Sequence, residues 1–342
     1  MQNAHENQFD LVIIGAGPAG LAAAVYASRE GMKTVVLDKG VAGGLAAITD
    51  NIDNYPGFNR GVGGLELADR LLAHATRFGA EVRTGVEVTG LNRDGEKVVV
   101  HTAGDPLYSD AALVATGSTY KFLGIPGEKE MIGRGVHFCA TCDAPLYRGK
   151  DIIVVGGGNS AIQESLFIAK FADHVTLIVR GPELGGTQIL QEQLKALPNV
   201  SFRFDTVVKA IRNDGTKVTG VEAKHKPSDD TLHIRTDGIF VFIGLTANTR
   251  PFANSLDLDM RNFITTHPDF STSLEGVYAA GDVRSGSTWQ IASAIGEGVA
   301  ATLEIRKHLD KLKHARAKAK REAPHQVTSH REPRHETQTA KA

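Results

Sequence analysis

Cysteine is nearly absent from this chain: its 342 residues hold two, and both fall in one run, Cys139-Ala140-Thr141-Cys142, followed at once by Asp143. Two thiols this close cannot staple a secreted disulfide framework; in a reducing compartment such a pair is more often catalytic or metal-binding. Charge of one sign is lacking as well. A formal net charge of −1 removes any global pull toward nucleic acid or an acidic membrane. Residues 1–10 are polar and show no cationic stretch ahead of an apolar run, so no signal peptide is expected. A clean membrane span is missing too, because the apolar stretch 11–25 contains Gly15, Gly17, Pro18 and Gly20, which suit a strand, a tight turn and a helix. These absences leave a cytoplasmic enzyme with neither a membrane nor a nucleic-acid partner, of about two domains by length.

What is present is one unit used twice. Leu11-Val12-Ile13-Ile14 has the pattern of a buried strand, Gly15-Ala16-Gly17-Pro18-Ala19-Gly20 is a turn, and an Ala-rich helix is expected over 21–30. Val35-Val36-Leu37 closes a right-handed βαβ unit ending at Asp38. The second copy runs from Ile152-Ile153-Val154-Val155 through Gly156-Gly157-Gly158-Asn159-Ser160-Ala161 and a helix near 162–171 to Val175-Thr176-Leu177-Ile178-Val179. In such a turn the first glycine permits the bend, the second lets backbone approach a pyrophosphate, and the third position must be small for helix and strand to pack. Free N–H groups at the helix start then face the phosphates. Two copies imply two dinucleotides.

The copies differ where a ligand is chosen. Asp38 can accept hydrogen bonds from ribose hydroxyls, as for the adenosine half of FAD or NAD. At the same offset the second copy has Val179 and then Arg180, a guanidinium able to pair with a 2′-phosphate, which leans toward NADPH; a solvated strand-end residue is the alternative. Further on, Ala111-Ala112-Leu113-Val114-Ala115-Thr116-Gly117 reads as a buried strand ending in a small-residue turn. Gly276-Val277-Tyr278-Ala279-Ala280-Gly281-Asp282 reads as another strand, delivering a carboxylate that can bind ribityl hydroxyls. A helix over 290–301 can point its N-terminus at a flavin ring. Together with the first turn these stretches make FAD the expected cofactor.

With Gly15 to Gly20, Asn54-Tyr55-Pro56-Gly57, Cys139 to Asp143, Gly156 to Ala161, Gly244 to Thr249 and Gly281-Asp282-Val283 in view, the chain resembles the low-molecular-weight thioredoxin reductases over residues 9–312. The resemblance implies an α/β fold of two Rossmann-like, three-layer nucleotide-binding domains. An FAD-binding domain would be assembled from 1–118 and 249–314. An NAD(P)-binding and redox-disulfide domain, 119–248, would be inserted between them through short turn-rich linkers. It further implies that Cys139 and Cys142 form a redox disulfide, with Cys142 facing the flavin, Cys139 attacking the disulfide of thioredoxin or a thioredoxin-like protein, and Asp143 acting as the general acid. Gly44, Lys39, Asn54 and Val88 join the flavin-binding set by the same resemblance, and a homodimer is the family expectation.

The residues keep other readings open for the thiol pair: a metal site, for which no second CxxC or matching His/Cys cluster exists, or two inert thiols. His137 reads as packing or surface. Where NADPH-using members of the resembled family carry a His-Arg-Arg cluster and a further Arg, this chain has Val179-Arg180-Gly181-Pro182-Glu183-Leu184-Gly185, leaving NADPH, NADH and ferredoxin as candidate donors. Leu45 stands where Gln is common, and Trp289-Gln290-Ile291 where Arg-Gln-Ala is usual; Trp289, the sole tryptophan, either shields the flavin ring or fills an interface. A dithiol oxidase and a non-enzymatic flavin redox sensor are the competing functions. Residues 315–342 are cationic and then polar, and are expected to form a disordered tail.

Overall fold

The computed structural model describes residues 7–49, 52 and 54–322. Its first sheet is built around strand Gln8–Ile14, whose residues bury on both faces: Leu11 and Ile13 enter one core, Val12 and Ile14 the other. Burial on both faces explains the unbroken apolar run, which alternation would have interrupted in a half-solvated strand. Strands Glu81–Thr84, Thr34–Asp38, Gln8–Ile14, Leu107–Val114, Lys97–Thr102 and Val88–Asp94 lie side by side in that order, the first four parallel. The late strand Val277–Ala279 adds in parallel against Leu107–Val114, with Val277 opposite Ala112, so both ends of the chain build one sheet.

Helix Pro18–Arg29 starts three residues before the expected helix, because Pro18 sits in its first turn, where a missing N–H is harmless. The long helix Ile291–Glu322 packs on it so closely that a Cβ at Gly298 would stand 2.2 Å from the Ala19 carbonyl oxygen. This helix runs eight residues into the stretch expected to be a disordered tail, a correction with a visible cause. Arg316 reaches back to Glu96 at 2.9 Å and to the buried Asp110 at 2.7 Å, anchoring the added turns to the sheet. Residues 323–342 of the expected tail lie outside the described residues.

A second, all-parallel sheet orders strands Val200–Arg203, His174–Ile178, Asp151–Val155, Gly238–Val241 and Val136–His137. Helices Asn159–Ile168 and Gln188–Lys195 cover one face, and an antiparallel sheet of Thr206–Asn213, Val218–His225 and Thr231–Arg235 covers the other. Two Rossmann-like layered units therefore nest, the second inserted into the first. The two crossing segments pair with each other, Ser118–Tyr120 running antiparallel to Leu245–Ala247. Beside this ribbon Glu128 is fully buried and its carboxylate accepts the N–H groups of Leu123 and Gly124, both at 2.8 Å, which pins one crossing loop.

Candidate active site

The strand Gln8–Ile14 ends at Gly15, which has φ +110, and a Cβ there would lie 2.3 Å from the Ala115 carbonyl oxygen. Only glycine lets the turn pass between its two neighbouring strands. Asp38, at the end of the next strand, accepts the Ala16 N–H at 2.7 Å and the Gly40 N–H at 2.8 Å, so the carboxylate stands at the mouth of the turn. From here a cavity of about 730 Å³ extends toward the inserted unit.

Most of the expected flavin-binding residues line it: Gly15, Gly17, Pro18, Ala19, Asp38, Lys39, Gly44, Asn54, Val88, Thr116, Gly117, Asp282, Trp289, Gln290 and Ile291. Cys139, Cys142 and Asp143 close it from the other unit. Gly20 and Gly281 back the wall instead; a Cβ at Gly20 would come 1.9 Å from the Gly15 oxygen, and one at Gly281 3.0 Å from Ala19 Cβ. Gly156, Gly158, Asn159, Ser160, Ala161 and Arg180 do not line this cavity. They form a second turn at the end of strand Asp151–Val155, with Gly158, Asn159, Ser160 and Arg180 exposed and Ala161 buried. Asn159 is committed to structure there, its Oδ1 accepting the Thr187 N–H at 2.8 Å.

A flavin dinucleotide fits the donor and acceptor set of the first cavity. Trp289, held at φ +52, lines it with Nε1 buried and without a partner, an orphaned donor of the kind a ring carbonyl would satisfy. Its ring packs against Phe263, with the Arg261 guanidinium 5.4 Å from its centre. Asp282 is pushed up to about 6 by burial and by nearby Glu297, against a hydrogen bond from Ser287 Oγ at 3.2 Å, and lacks the partners an ionised carboxylate needs. Ligand hydroxyls would supply them.

Cys139, which caps the short helix Ala140–Asp143, and Cys142 within it are joined as a disulfide, their Cα atoms 5.4 Å apart. Side chains of the first unit meet this helix. Asn54 Nδ2 lies 4.0 Å from Cys142 Sγ and donates to Gln290 Oε1 at 3.1 Å, while Gln290 Nε2 reaches Thr141 Oγ1 at 3.5 Å. Behind the pair, Asp143 Oδ2 stands 3.2 Å from His137 Nδ1, and His137 Nε2 stands 2.7 Å from the Tyr147 hydroxyl. His137 is thus buried against Phe240 and Tyr147, as the packing reading expects, and it also meets the expected general acid. The one signal in the sequence was its place two residues ahead of Cys139. Among the described residues no cluster of three or more His, Cys, Asp or Glu is arranged to hold a metal ion, and no helix is long and apolar enough to cross a membrane.

A disulfide facing one dinucleotide-type cavity, with a second glycine turn on the same unit, defines a class. The sequence pattern of the pyridine nucleotide-disulphide oxidoreductases matches residues 9–298, and the chain belongs to that family. Within it, the thioredoxin reductase of Bacillus subtilis is 38% identical over 310 residues, covering 90% of this chain and 96% of that protein. The crystal structure of thioredoxin reductase from Streptococcus pyogenes superposes with a TM-score of 0.86 at 33% identity, covering 89% of this chain and 99% of that one. Lactococcus lactis thioredoxin reductase, solved in an FR conformation, has 34% identity over the same 89% and 99% but a TM-score of 0.61. The resemblance to low-molecular-weight thioredoxin reductases drawn from the motifs stands, and family membership implies use of a flavin and a pyridine nucleotide.

Proposed function

We propose that this chain is a thioredoxin-disulfide reductase, holding FAD in the large cavity and a reduced pyridine nucleotide, NADPH or NADH, at the second glycine turn. The observation that carries the reading is the position of the Cys139–Cys142 disulfide in the wall of the cavity built by the first turn. The domains are 1–118 with 249–314 for FAD and 119–248 for the nucleotide and disulfide, and the working form is a cytoplasmic homodimer; a lone CxxC pair with no other cysteine suits a reducing compartment.

Bound FAD would carry electron pairs between the nicotinamide and the disulfide. Gly15, Gly17 and the first turn of helix Pro18–Arg29 would hold its pyrophosphate, Asp38 its ribose, Asp282 its ribityl chain, and Trp289 Nε1 would donate to its ring. After reduction, Cys139 would attack the disulfide of a thioredoxin-like protein through its thiolate, and Asp143 would protonate the thiolate that leaves. In the present arrangement the second turn lies off the cavity, so the two sites of the inserted unit would take turns at the flavin. The antiparallel ribbon of Ser118–Tyr120 and Leu245–Ala247 is the natural hinge. Unequal superposition on two relatives of nearly the same identity, 33% and 34%, and the same coverage supports such a rotation.

Cys142→Ser tests the reading. The variant keeps its yellow flavin, the flavin bleaches on anaerobic mixing with NADPH or NADH, and thioredoxin-disulfide turnover falls by about a thousandfold or more. Turnover retained near the wild-type rate would remove the thiol pair as the conduit. Running the same mixing with reduced ferredoxin separates the nicotinamide reading from an iron–sulfur donor.

A further inference from the structure

The disulfide is backed by a polar chain in which buried His137 and the half-buried Tyr147 have been given no role. His137 ends strand Val136–His137 at 6% exposure, between Asp143 Oδ2 at 3.2 Å and the Tyr147 hydroxyl at 2.7 Å, with the Phe240 ring 5.1 Å away. The titratable groups facing this site come from several elements. Glu164, on helix Asn159–Ile168, accepts the Ala140 amide; Asp237, ahead of strand Gly238–Val241, acts on Tyr147; Tyr120 lies within the fields of Asp143, Glu164 and Asp282. Glu164 and Asp237 are carboxyls and Tyr120 and Tyr147 are phenols held neutral, so among these groups the imidazole, 3.2 Å away, is the base that meets Asp143.

A carboxyl that takes a proton from one sulfur and returns it to another must be stable in both of its states. An imidazole between a carboxyl and a phenol provides for both. With Asp143 ionised, a small turn of either side chain across the 3.2 Å contact lets His137 Nδ1–H donate to it while Nε2 accepts the Tyr147 hydroxyl. With Asp143 protonated, its O–H donates to Nδ1, and Nε2–H donates to the Tyr147 oxygen, whose hydrogen turns away. Burial pushes ionisation of the Tyr147 hydroxyl far up, which keeps it a hydroxyl throughout.

We propose that His137, held by Tyr147, is the positioning residue that lets Asp143 pass the proton of thiol–disulfide exchange. The proposal rests on the redox reading of the cysteine pair. In the exchange Cys139 gives its proton to Asp143 and its thiolate attacks a disulfide; a Cys139–sulfur bond forms, the substrate S–S bond breaks, and the departing thiolate takes the proton from Asp143. Cys142 then loses its proton by the same route and attacks Cys139, releasing the second thiol and restoring the Cys139–Cys142 bond. Two protein thiols and one disulfide become one protein disulfide and two free thiols, and no other oxidant is required.

Leaving-group chemistry tests it. The full-length protein is reduced with dithiothreitol, freed of reductant and mixed with two small disulfides. Dithiobis-nitrobenzoate releases an aromatic thiolate that needs no proton, whereas hydroxyethyl disulfide releases an alkyl thiol that does. Tyr147→Phe and His137→Leu slow the second reaction about tenfold or more and the first by no more than about twofold. His137→Asn, which keeps an N–H near the Nδ1 position, recovers part of the loss. Equal slowing of both reactions would make the chain purely structural, and wild-type rates at every pH would show it idle; either result ends the proposal. A wild-type dithiol that reacts with neither disulfide would remove the redox reading and the proposal with it.

Discussion

The two glycine turns share a backbone and part company at one side chain. In both, the first glycine is wedged against the carbonyl that follows the neighbouring parallel strand: a Cβ would meet the Ala115 oxygen at 2.3 Å from Gly15 and the Phe242 oxygen at 2.5 Å from Gly156. Both glycines have positive φ, +110 and +149. At the end of the next strand the first unit places Asp38, hydrogen-bonded to the turn itself. The second places Val179, buried beneath the turn so that a Cβ at Gly157 would lie 2.7 Å from Val179 Cγ1, and then the exposed Arg180. The geometry that cradles a pyrophosphate is therefore set by steric rules common to both units. The choice of ligand is left to the residues at the end of the next strand, Asp38 in the first unit and Val179 with exposed Arg180 in the second.

The largest expected effect comes from breaking each turn separately. Gly15→Ala and Gly156→Ala force the same clash, at a cost of about 2–5 kcal/mol from backbone strain and overpacking combined. Their consequences separate: Gly15→Ala protein purifies colourless, whereas Gly156→Ala stays yellow but is not bleached by NADPH or NADH. Absorbance of the purified proteins and one anaerobic titration decide it. A colourless Gly156→Ala beside a yellow Gly15→Ala would invert the assignment of the two sites.

That contrast was legible before any coordinates, because a turn that excludes a Cβ is a constraint local to a few residues. So was the thiol pair, since cysteine occurs nowhere else in the chain. What escaped were contacts that depend on distant pairings. His137 meets Asp143 and Tyr147 only because strand Val136–His137 joins the edge of a sheet beside Gly238–Val241, about a hundred residues on. Asn54 and Gln290, which bring the first unit to the disulfide, are 236 positions apart. The helix past residue 314 looked too cationic to hold. It is held by Arg316 meeting Glu96, in the turn ahead of strand Lys97–Thr102, and Asp110, on strand Leu107–Val114. Composition shows the charges but not their partners.

A second expected effect sharpens the first cavity. Asp282 ordinarily ionises near 3.8 and in the fold near 6. Between those values the folded chain binds a proton that the unfolded chain has lost, so the flavin-free protein loses stability as pH rises from about 4 to about 6 and stays at that deficit above, about 2–3 kcal/mol in all. Asp282→Asn removes the ionisable group. The flavin-stripped variant is then more stable than wild type at neutral pH, with the advantage vanishing toward about pH 4, while flavin is retained less tightly. Urea midpoints of the two apoproteins across that range test the sign; an advantage independent of pH would mean that burial of the carboxylate is not its source.

The smallest effect bears on the second turn. Arg180 is the one cation in the stretch 179–185, which also carries Glu183, and exposed Arg203 lies opposite Ile178 on the neighbouring strand. One exposed charge-assisted contact is worth about 1.4 kcal/mol, near the lower end for such bonds, so Arg180→Ala raises KM for NADPH about tenfold and leaves KM for NADH within about twofold. Because the guanidinium is exposed, half-molar salt screens most of the preference in the wild type as well, bringing the two cofactors together without a mutation. Equal changes for NADPH and NADH would remove Arg180 from phosphate recognition. The two turns would then differ in one direction only, with Asp38 selecting a ribose and nothing at 179–180 selecting anything.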